Sequence, residues 1–326
     1  MKTVNIGVDV GNHDTKTSNT STPSGFNEFS KIPFGTDEYI KFKDIYYVPN
    51  ITRFPYVKDK TINENCFILT LFGIAKEIVA SLNKSQKLSR EEIQNQIDKI
   101  RYVNIGVGLP PTHCATLSGK MKNYYHSRFD DGITFEYNGY VFQLKLNICE
   151  VFPQDFSAVI TYNPKNEDSI LKKFKRYYAI DIGGYTVDVV PIVNGNPDVS
   201  KCASKELGVL KMYDSIIPRV EMETGTTLSA ADIEAVLKKE NTILDEKEIE
   251  LIHECAEDWL ENIINQLKQS GLEFATTPVV FMGGGAQLFK KYIRNNKLIK
   301  KYEFIPGARS NADGFKKLIT LKSSTK

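Results

Sequence analysis

The chain has 326 residues, of which 41% are hydrophobic and 25% charged, a composition ordinary for a globular protein of roughly two domains at about 150 residues each. Its 42 Lys and Arg residues nearly balance 40 Asp and Glu residues, which argues against a surface that coats nucleic acid through a basic excess. The five cysteines are scattered, with no CxxC pair and no Cys/His ligand spacing, so a disulfide scaffold and a structural zinc site are disfavoured.

The composition also argues against a membrane protein. The chain passes from Met1 directly into a strand-like run without a signal-peptide pattern. The most apolar stretch, residues 66–82, is interrupted by Lys76 and Glu77 and predicts an amphipathic helix packed on one face. We therefore expect a cytoplasmic protein without a membrane partner.

The first motif suited to ligand binding is a glycine turn between two predicted strands near the start of the chain. Gly11 allows a phosphate to approach the backbone closely, Thr15 offers a hydroxyl donor and Lys16 a positive charge. Asn12 lies in the same turn, and Asp9, at the end of the strand, is suited to a hydrated Mg²⁺. Taken alone, this pattern favours a plain hairpin over a phosphate-binding turn.

Three further elements are predicted in the first half. Residues 27–65 are rich in aromatic residues, Pro and Lys without a helical period, which indicates a small insertion. Residues 89–101 predict a helix with an acidic first turn. Residues 135–151 predict a hairpin around Asn138 and Gly139.

An internal repeat relates the two halves of the chain. The run from Asp181 to Asp188 repeats the design of the first turn at an offset of 172 residues from Asp9. Residues 103–109 and 279–285 form a second related pair, in which Gly106 and Gly283 are separated by the similar offset of 177. Two copies of one α/β unit explain both offsets.

The second half is predicted to carry a mainly helical insertion and a third glycine motif. Ser229 and Asp232 form a capping-box pattern, and a long helix is predicted over residues 245–270. The run from Gly283 to Ala286 follows an apolar strand and precedes a helix. Glycines there allow a purine and its ribose to lie against the backbone, although a simple strand-to-helix turn has the same pattern.

In this order and spacing, the three motifs resemble those of the ATPase superfamily of actin, sugar kinases and the seventy-kilodalton chaperones. Within it, the chain most resembles the bacterial ParM/StbA-type actins of plasmid segregation, through residues 69–76, 106–111, 206–210 and 309–315. The resemblance implies an α/β fold with two ribonuclease-H-like domains around a nucleotide cleft. Domain I would comprise residues 1–155 and 309–326 with the insertion at about 27–65, and domain II residues 156–308 with the insertion at about 205–272.

The resemblance also implies a site that binds ATP, or alternatively GTP, with Mg²⁺. Gln154, at the start of the connecting helix, would orient the attacking water, since a carboxamide is not a base at neutral pH. Asp9 and Asp181 would hold Mg²⁺ through water and count, with Gln154, as the catalytic residues. The implied nucleotide-contacting residues are Asp9, Gly11, Asn12, Thr15, Lys16, Asp181, Gly183, Gly184, Thr186, Asp188, Gly283, Gly284, Gly285 and Ala286.

Two functions remain open at this point. The first is an ATPase that polymerises into filaments and segregates plasmid or other mobile DNA through a DNA-binding adaptor, without direct DNA contact. The second is a small-metabolite kinase of the same superfamily, which needs an acidic base near the acceptor hydroxyl, where Gln154 stands instead. The basic run from Lys290 to Lys301 is interpreted as a solvated face or, alternatively, as a filament or adaptor contact.

Overall fold

The structure is a computed structural model and describes residues 2–84 and 87–324. The chain divides into two units, each described below by itself. The first comprises Met1–Tyr162 together with Arg309–Lys326, and the second comprises Asn163–Ala308.

The first unit combines a long mixed sheet with helices. Its strands are β1 (Lys2–Val10), β2 (Asp14–Lys16), β3 (Ser21–Pro23), β4 (Phe26–Phe29), β5 (Ile40–Phe42), β6 (Ile45–Pro49), β7 (Ile100–Leu109), β8 (Ile133–Tyr137) and β9 (Tyr140–Pro153). Its helices are α1 (Asn65–Asn83), α2 (Arg90–Ile97), α3 (Pro111–Phe129), α4 (Phe156–Thr161) and, from the last part of the chain, α11 (Ser310–Ser324).

The strands of this unit follow the order β3-β2-β1-β7-β9-β8-β5-β6-β4. β1, β7 and β9 are parallel to one another, and the other neighbours are antiparallel. The predicted insertion at residues 27–65 therefore contributes β5 and β6 and most of β4 to the far end of the sheet. The predicted hairpin is present, with Asn138 at φ 49° and Gly139 at φ 79° in its two-residue turn, as that turn type requires.

Helix α1 differs from the predicted one-faced helix. Its residues from Cys66 to Ala75 are all buried, because the helix packs against β1, β2, β3, β5 and β8. By length and composition α1 is the one helix of the described ranges that could span a membrane, yet 67% of its apolar window is buried inside the protein. Burial to this extent is what the central helix of a protein core shows.

Two other predicted helices are shorter than expected. The helix predicted over residues 89–101 corresponds to α2, which is capped by Ser89 and Glu92. It ends at Ile97 because residues from Ile100 onward join β7. The connecting helix, which the resemblance starts at Gln154, begins only at Phe156. The residues up to Pro153 are drawn into β9 by parallel pairing with β7, in which Leu109 lies opposite Pro153.

Helix α11 packs directly on the central strands of the first unit. A Cβ atom added at Gly7 would lie 2.1 Å from the Ala312 carbonyl oxygen, and one added at Gly108 would lie 2.1 Å from Cζ of Phe315. A side chain at Gly7 would therefore displace the helix backbone, whereas one at Gly108 would displace the buried Phe315 ring. The last segment of the chain thus completes the core of the first unit.

The second unit has a smaller sheet and a helical insertion. Its strands are β10 (Arg176–Ile182), β11 (Val187–Val193), β12 (Asn196–Pro197), β13 (Ala203–Lys205), β14 (Val279–Met282) and β15 (Tyr302–Phe304). Its helices are α5 (Ile170–Lys173), α6 (Val209–Thr224), α7 (Ala230–Lys238), α8 (Glu246–Gln269), α9 (Gly283–Leu288) and α10 (Lys290–Asn295), with a 3-10 turn at Val199–Lys201. The predicted capping box at Ser229 and the predicted long helix, α8, are both present, and α8 stops before Gly271 at φ 92°.

The two units share one strand arrangement, which confirms the repeat predicted from the sequence. The second sheet has the order β12-β11-β10-β14-β15, with β13 also paired to β11. In each unit two antiparallel pairs are followed by two parallel pairs, so β3-β2-β1-β7-β9 corresponds to β12-β11-β10-β14-β15.

Candidate functional site

The first glycine turn is a tight connection between β1 and β2. Val10 pairs with Thr15, and the N–H of Gly11 donates to the Asp14 carbonyl at 3.1 Å. The N–H groups of Asn12 and His13, between these residues, have no hydrogen-bond partner among the residues that the structure describes. Adjacent N–H groups in such a turn can accept an anion.

Gln154 and Asp9, both predicted site residues, are in direct contact in the first unit. β1, β7 and β9 run side by side, so their carboxyl ends lie at one edge of the sheet. The N–H of Gln154 donates to the Leu109 carbonyl at 2.9 Å, and its Nε2 donates to Oδ1 of Asp9 at 2.9 Å. Because the side-chain amide donates through nitrogen, its oxygen is left to accept a hydrogen bond from water.

Thr15 and Lys16 differ in what their side chains contact. Thr15 is only 2% exposed, and its Oγ1 lies 3.1 Å from Oγ of Ser24, which in turn donates to the Gly11 carbonyl at 2.7 Å. Its hydroxyl therefore stabilises the hairpin itself. Lys16 is half-buried, on the opposite face of the same strand.

The charge of Lys16 acts on Asp14, which the sequence reasoning did not single out. Burial raises the pKa of Asp14, but the hydrogen bond and charge of His13 and the charges of Lys16 and Arg53 outweigh it and lower that pKa below 3.8. The turn therefore carries a stable carboxylate surrounded by cations.

Two of the cations around the first turn, Arg53 and Lys60, lie in the predicted insertion at residues 27–65. Arg53 Nε donates to the His13 carbonyl at 3.2 Å, and its Nη2 lies 3.6 Å from Oδ1 of Asp14. The Lys60 ammonium donates to the Val10 carbonyl. No sequence signal identifies either contact, because both residues lie in irregular structure about forty or more positions from their partners.

The second glycine turn, between β10 and β11, reproduces the first. Asp181 pairs with Asp188, and the N–H of Gly183 donates to the Thr186 carbonyl at 2.9 Å, as Gly11 does to Asp14. The Thr186 hydroxyl donates to Oδ2 of Asp188 at 2.7 Å. Gly184 is partly exposed within this turn.

The start of α6 holds the second turn in place. The N–H groups of Gly208, Val209 and Leu210 donate to the carbonyls of Tyr185, Gly183 and Gly184 at 2.9, 3.1 and 2.8 Å. A Cβ atom at Gly208 would lie 2.4 Å from the Tyr185 carbonyl carbon, so only glycine fits there. Residues 206–210 contribute to the family resemblance, but no pattern in the sequence assigns them to the site.

The third glycine motif follows β14, which pairs in parallel with β10 so that Asp181 lies opposite Met282. Gly283 therefore sits beside the end of the second hairpin. Its φ is +88°, and a Cβ atom there would lie 1.9 Å from Oδ1 of Asp181. A Cβ at Gly285 would lie 2.5 Å from Cγ2 of Ile182.

The two remaining residues of this motif differ in exposure. Gly284 is partly exposed, whereas Ala286 is fully buried. The strand–glycine–helix order predicted from the sequence is present, and the glycines form the first turn of α9.

The carboxylates fit a hydrated magnesium ion better than a metal held by protein ligands alone. The described residues contain no group of three or more His, Cys, Asp or Glu side chains suited to hold a metal. Asp9 and Asp181 are each 9% exposed. Mg²⁺ commonly uses one or two carboxylates, phosphate oxygens and several waters, so either carboxylate suits that ion.

Comparisons with known proteins agree with this architecture. The family model for the C-terminal part of the archaeal actin homologue MreB-like proteins matches residues 179–295. No curated protein matches the sequence.

Among solved structures, ParM of Bacillus thuringiensis with ATP is similar at a TM-score of 0.67 and 12% identity, over 99% of this chain and 100% of that one. The archaeal actin homologue Ta0583 in complex with ADP is similar at 0.68 and 16%, over 98% and 100%. AlfA from a B. subtilis plasmid, solved as a filament, is similar at 0.57 and 14%, over 96% and 97%. The chain therefore has the actin-like fold that ParM and the archaeal actin homologues share, as the sequence motifs predicted.

Proposed function

We propose that this chain is an actin-like ATPase of the cytoplasm, which binds ATP with Mg²⁺ and polymerises into nucleotide-dependent filaments. The observation that carries the proposal is the hydrogen bond from Gln154 to Asp9, beside a glycine turn in which two N–H groups donate to none of the described residues. Two structurally similar proteins were solved with ATP and ADP, and a third as a filament, which supports the same reading.

Both glycine turns are suited to phosphate oxygens. In the first turn, the N–H groups of Asn12 and His13 and the charge of Lys16 favour an anion. In the second turn, Gly184 aligns with Asn12, and Thr186, whose hydroxyl donates to Asp188, is the second proposed contact. We assign the base and ribose to the backbone of residues 283–286, where Gly284 is partly exposed while Gly283, Gly285 and Ala286 are buried.

The hydrolytic role falls to Gln154 and the two aspartates. The bond that water breaks is the phosphoanhydride bond to the terminal phosphate of ATP. Gln154 holds a water through its side-chain oxygen, while its nitrogen stays on Asp9 and fixes the orientation of the amide. Asp9 and Asp181 would bind waters of the magnesium ion.

We further propose that the filaments segregate plasmid or other mobile DNA through an adaptor protein. The net charge of +2 gives no reason to expect broad direct DNA binding. The exposed cations between Lys291 and Lys301 offer a surface for an adaptor or for the next subunit.

A small-metabolite kinase is the competing function. Such an enzyme needs a carboxylate to take the proton of the acceptor hydroxyl, and the position after β9 holds the Gln154 amide instead. The filament reading is therefore favoured.

Sedimentation and light scattering with ATP, GTP or ADP, each with Mg²⁺, test the proposal. We expect polymer with a nucleoside triphosphate and its loss after hydrolysis. A protein that binds nucleotide but stays monomeric at high concentration with each of them would refute the filament function and favour the kinase.

A further inference from the structure

The segment between β6 and α1, residues 50–61, lies over the first glycine turn and is fixed there by backbone contacts. The N–H of Asn50 donates to the Gly25 carbonyl at 2.9 Å, and that of Phe54 to the Ser24 carbonyl at 2.9 Å. The Phe54 ring packs edge-on against Phe26, with the centroids 4.7 Å apart. These contacts bring Arg53 and Lys60 to the turn.

The side chain of Arg53 stabilises the turn through hydrogen bonds and an ion pair. Its guanidinium donates to the carbonyls of Ile51 and His13 and faces the Asp14 carboxylate. The charge of Arg53 is thus compensated by a carboxylate, and its planar fork is already occupied.

The electrostatic environment of Lys60 differs from that of Arg53. Its half-buried ammonium donates to the carbonyl of Val10, the residue between Asp9 and Gly11. Within residues 2–84 and 87–324 no carboxylate lies within ion-pair distance of this ammonium. A partly desolvated cation bonded to one neutral oxygen keeps two N–H groups and an uncompensated charge, which favours an incoming anion.

The backbone around Lys60 is held so that its side chain starts from a fixed place. Oδ1 of Asp59 accepts from the Thr61 N–H at 3.0 Å and from the Thr61 hydroxyl at 2.6 Å. The other carboxylate oxygen of Asp59 pairs with Lys120 at 2.5 Å. The acid nearest to Lys60 in sequence is therefore already engaged elsewhere.

We propose that Lys60 binds the terminal phosphate of a nucleoside triphosphate and makes the chain prefer triphosphate over diphosphate. This inference rests on the proposed function. The bond that is broken must lie by the Gln154–Asp9 pair, so the terminal phosphate is the one that the first turn holds. The Lys60 ammonium lies on the carbonyl between Asp9 and Gly11, so a phosphate oxygen held by this turn is placed to replace that carbonyl as its acceptor.

Nucleotide affinity measured by titration calorimetry tests the inference, with a hydrolysis-resistant ATP analogue and with ADP, both with Mg²⁺. The variant is Lys60→Met. The matched control is Lys58→Met, which removes the same charge from an exposed side chain of the same segment that contacts none of the described residues through a hydrogen bond or ion pair. Lys60→Arg keeps the charge, and thermal unfolding of each variant reports its folding.

We expect Lys60→Met to weaken the affinity for the triphosphate analogue by about tenfold or more and the affinity for ADP by less than about twofold. The reason is that a hydrogen bond to a charged group is lost for the triphosphate only. Lys60→Arg should restore part of the difference, and Lys58→Met should match the wild type for both ligands. An equal loss for both ligands, or no loss, would overturn the role of Lys60 while leaving the proposed function standing. A wild type that binds neither nucleotide would instead refute the proposed function.

Discussion

Replacing Gly283 by alanine tests whether the glycine at the start of α9 exists to make room for the Asp181 carboxylate. Gly283 has φ +88°, where a residue with a Cβ is strained by about 1–2 kcal/mol. The added methyl would also lie 1.9 Å from Oδ1 of Asp181 and 2.8 Å from the Ile182 carbonyl oxygen. Contacts this short force a shift, and overpacking in a buried site costs about 1–3 kcal/mol.

The expected loss in the free energy of unfolding is therefore about 2–5 kcal/mol in total. A second effect follows from the first: the Asp181 carboxylate must leave its place. If it holds magnesium-bound water, as proposed, affinity for Mg²⁺-ATP should fall by about tenfold or more.

Gly225→Ala is the matched control. Gly225 ends α6 at φ +78°, yet a Cβ there would have no neighbour within 4 Å. We expect this variant to lose only the backbone contribution of about 1–2 kcal/mol and to bind nucleotide normally. Urea unfolding and calorimetric nucleotide titration measure the two effects. Equal losses of stability and unchanged binding in both variants would refute the steric reasoning.

The other predictions concern the first unit. Gln154→Ala should leave ATP binding intact and slow phosphate release by about a hundredfold, because the water loses its positioning group; unchanged turnover would contradict the role. Glu77→Gln should lower the free energy of unfolding by about 1–3 kcal/mol, since the buried carboxylate accepts from Thr17 at 2.6 Å and faces Lys316 at 3.2 Å. Burial raises the pKa of Glu77, but the hydrogen bonds and the charge of Lys316 outweigh it and lower that pKa below 4.5. Its contribution should thus be complete above about pH 4.5 and be lost as the pH falls through the folded-state pKa, and a variant difference that persists at low pH in urea melts would argue against it.

Local patterns in the sequence were enough to predict the elements that depend on neighbouring residues. The capping box at Ser229 and the turn at Asn138 and Gly139 require only side chains a few positions apart. The two glycine turns followed from the repeat, since the same short pattern recurs in both halves. The contact of Gln154 with Asp9, 145 positions apart, had no local signal and depended on the resemblance.

The burial of Thr15 was not predicted from the local pattern. Adjacent residues of a strand point to opposite faces, so Thr15 and Lys16 cannot both face one ligand. The hairpin register aligns Thr15 with Val187, and both are buried. In this alignment of the two hairpins, the residue that corresponds to Thr186 is Asp14 and not Thr15. The alternation was readable in the sequence, whereas Arg53 and Lys60 could be found only in three dimensions.

The packing of α11 on β1 and β7 has a consequence for how the protein is made. The helix follows residues 163–308 in the chain, so the ribosome must synthesise the whole second unit before the helix that covers Gly7 and Gly108 exists. The second unit is continuous in sequence and can fold as soon as it emerges, whereas the first must wait with part of its central sheet uncovered. A chain halted before residue 309 should therefore hold a folded internal unit and an unfinished first one, which makes the earlier-synthesised unit the later one to mature.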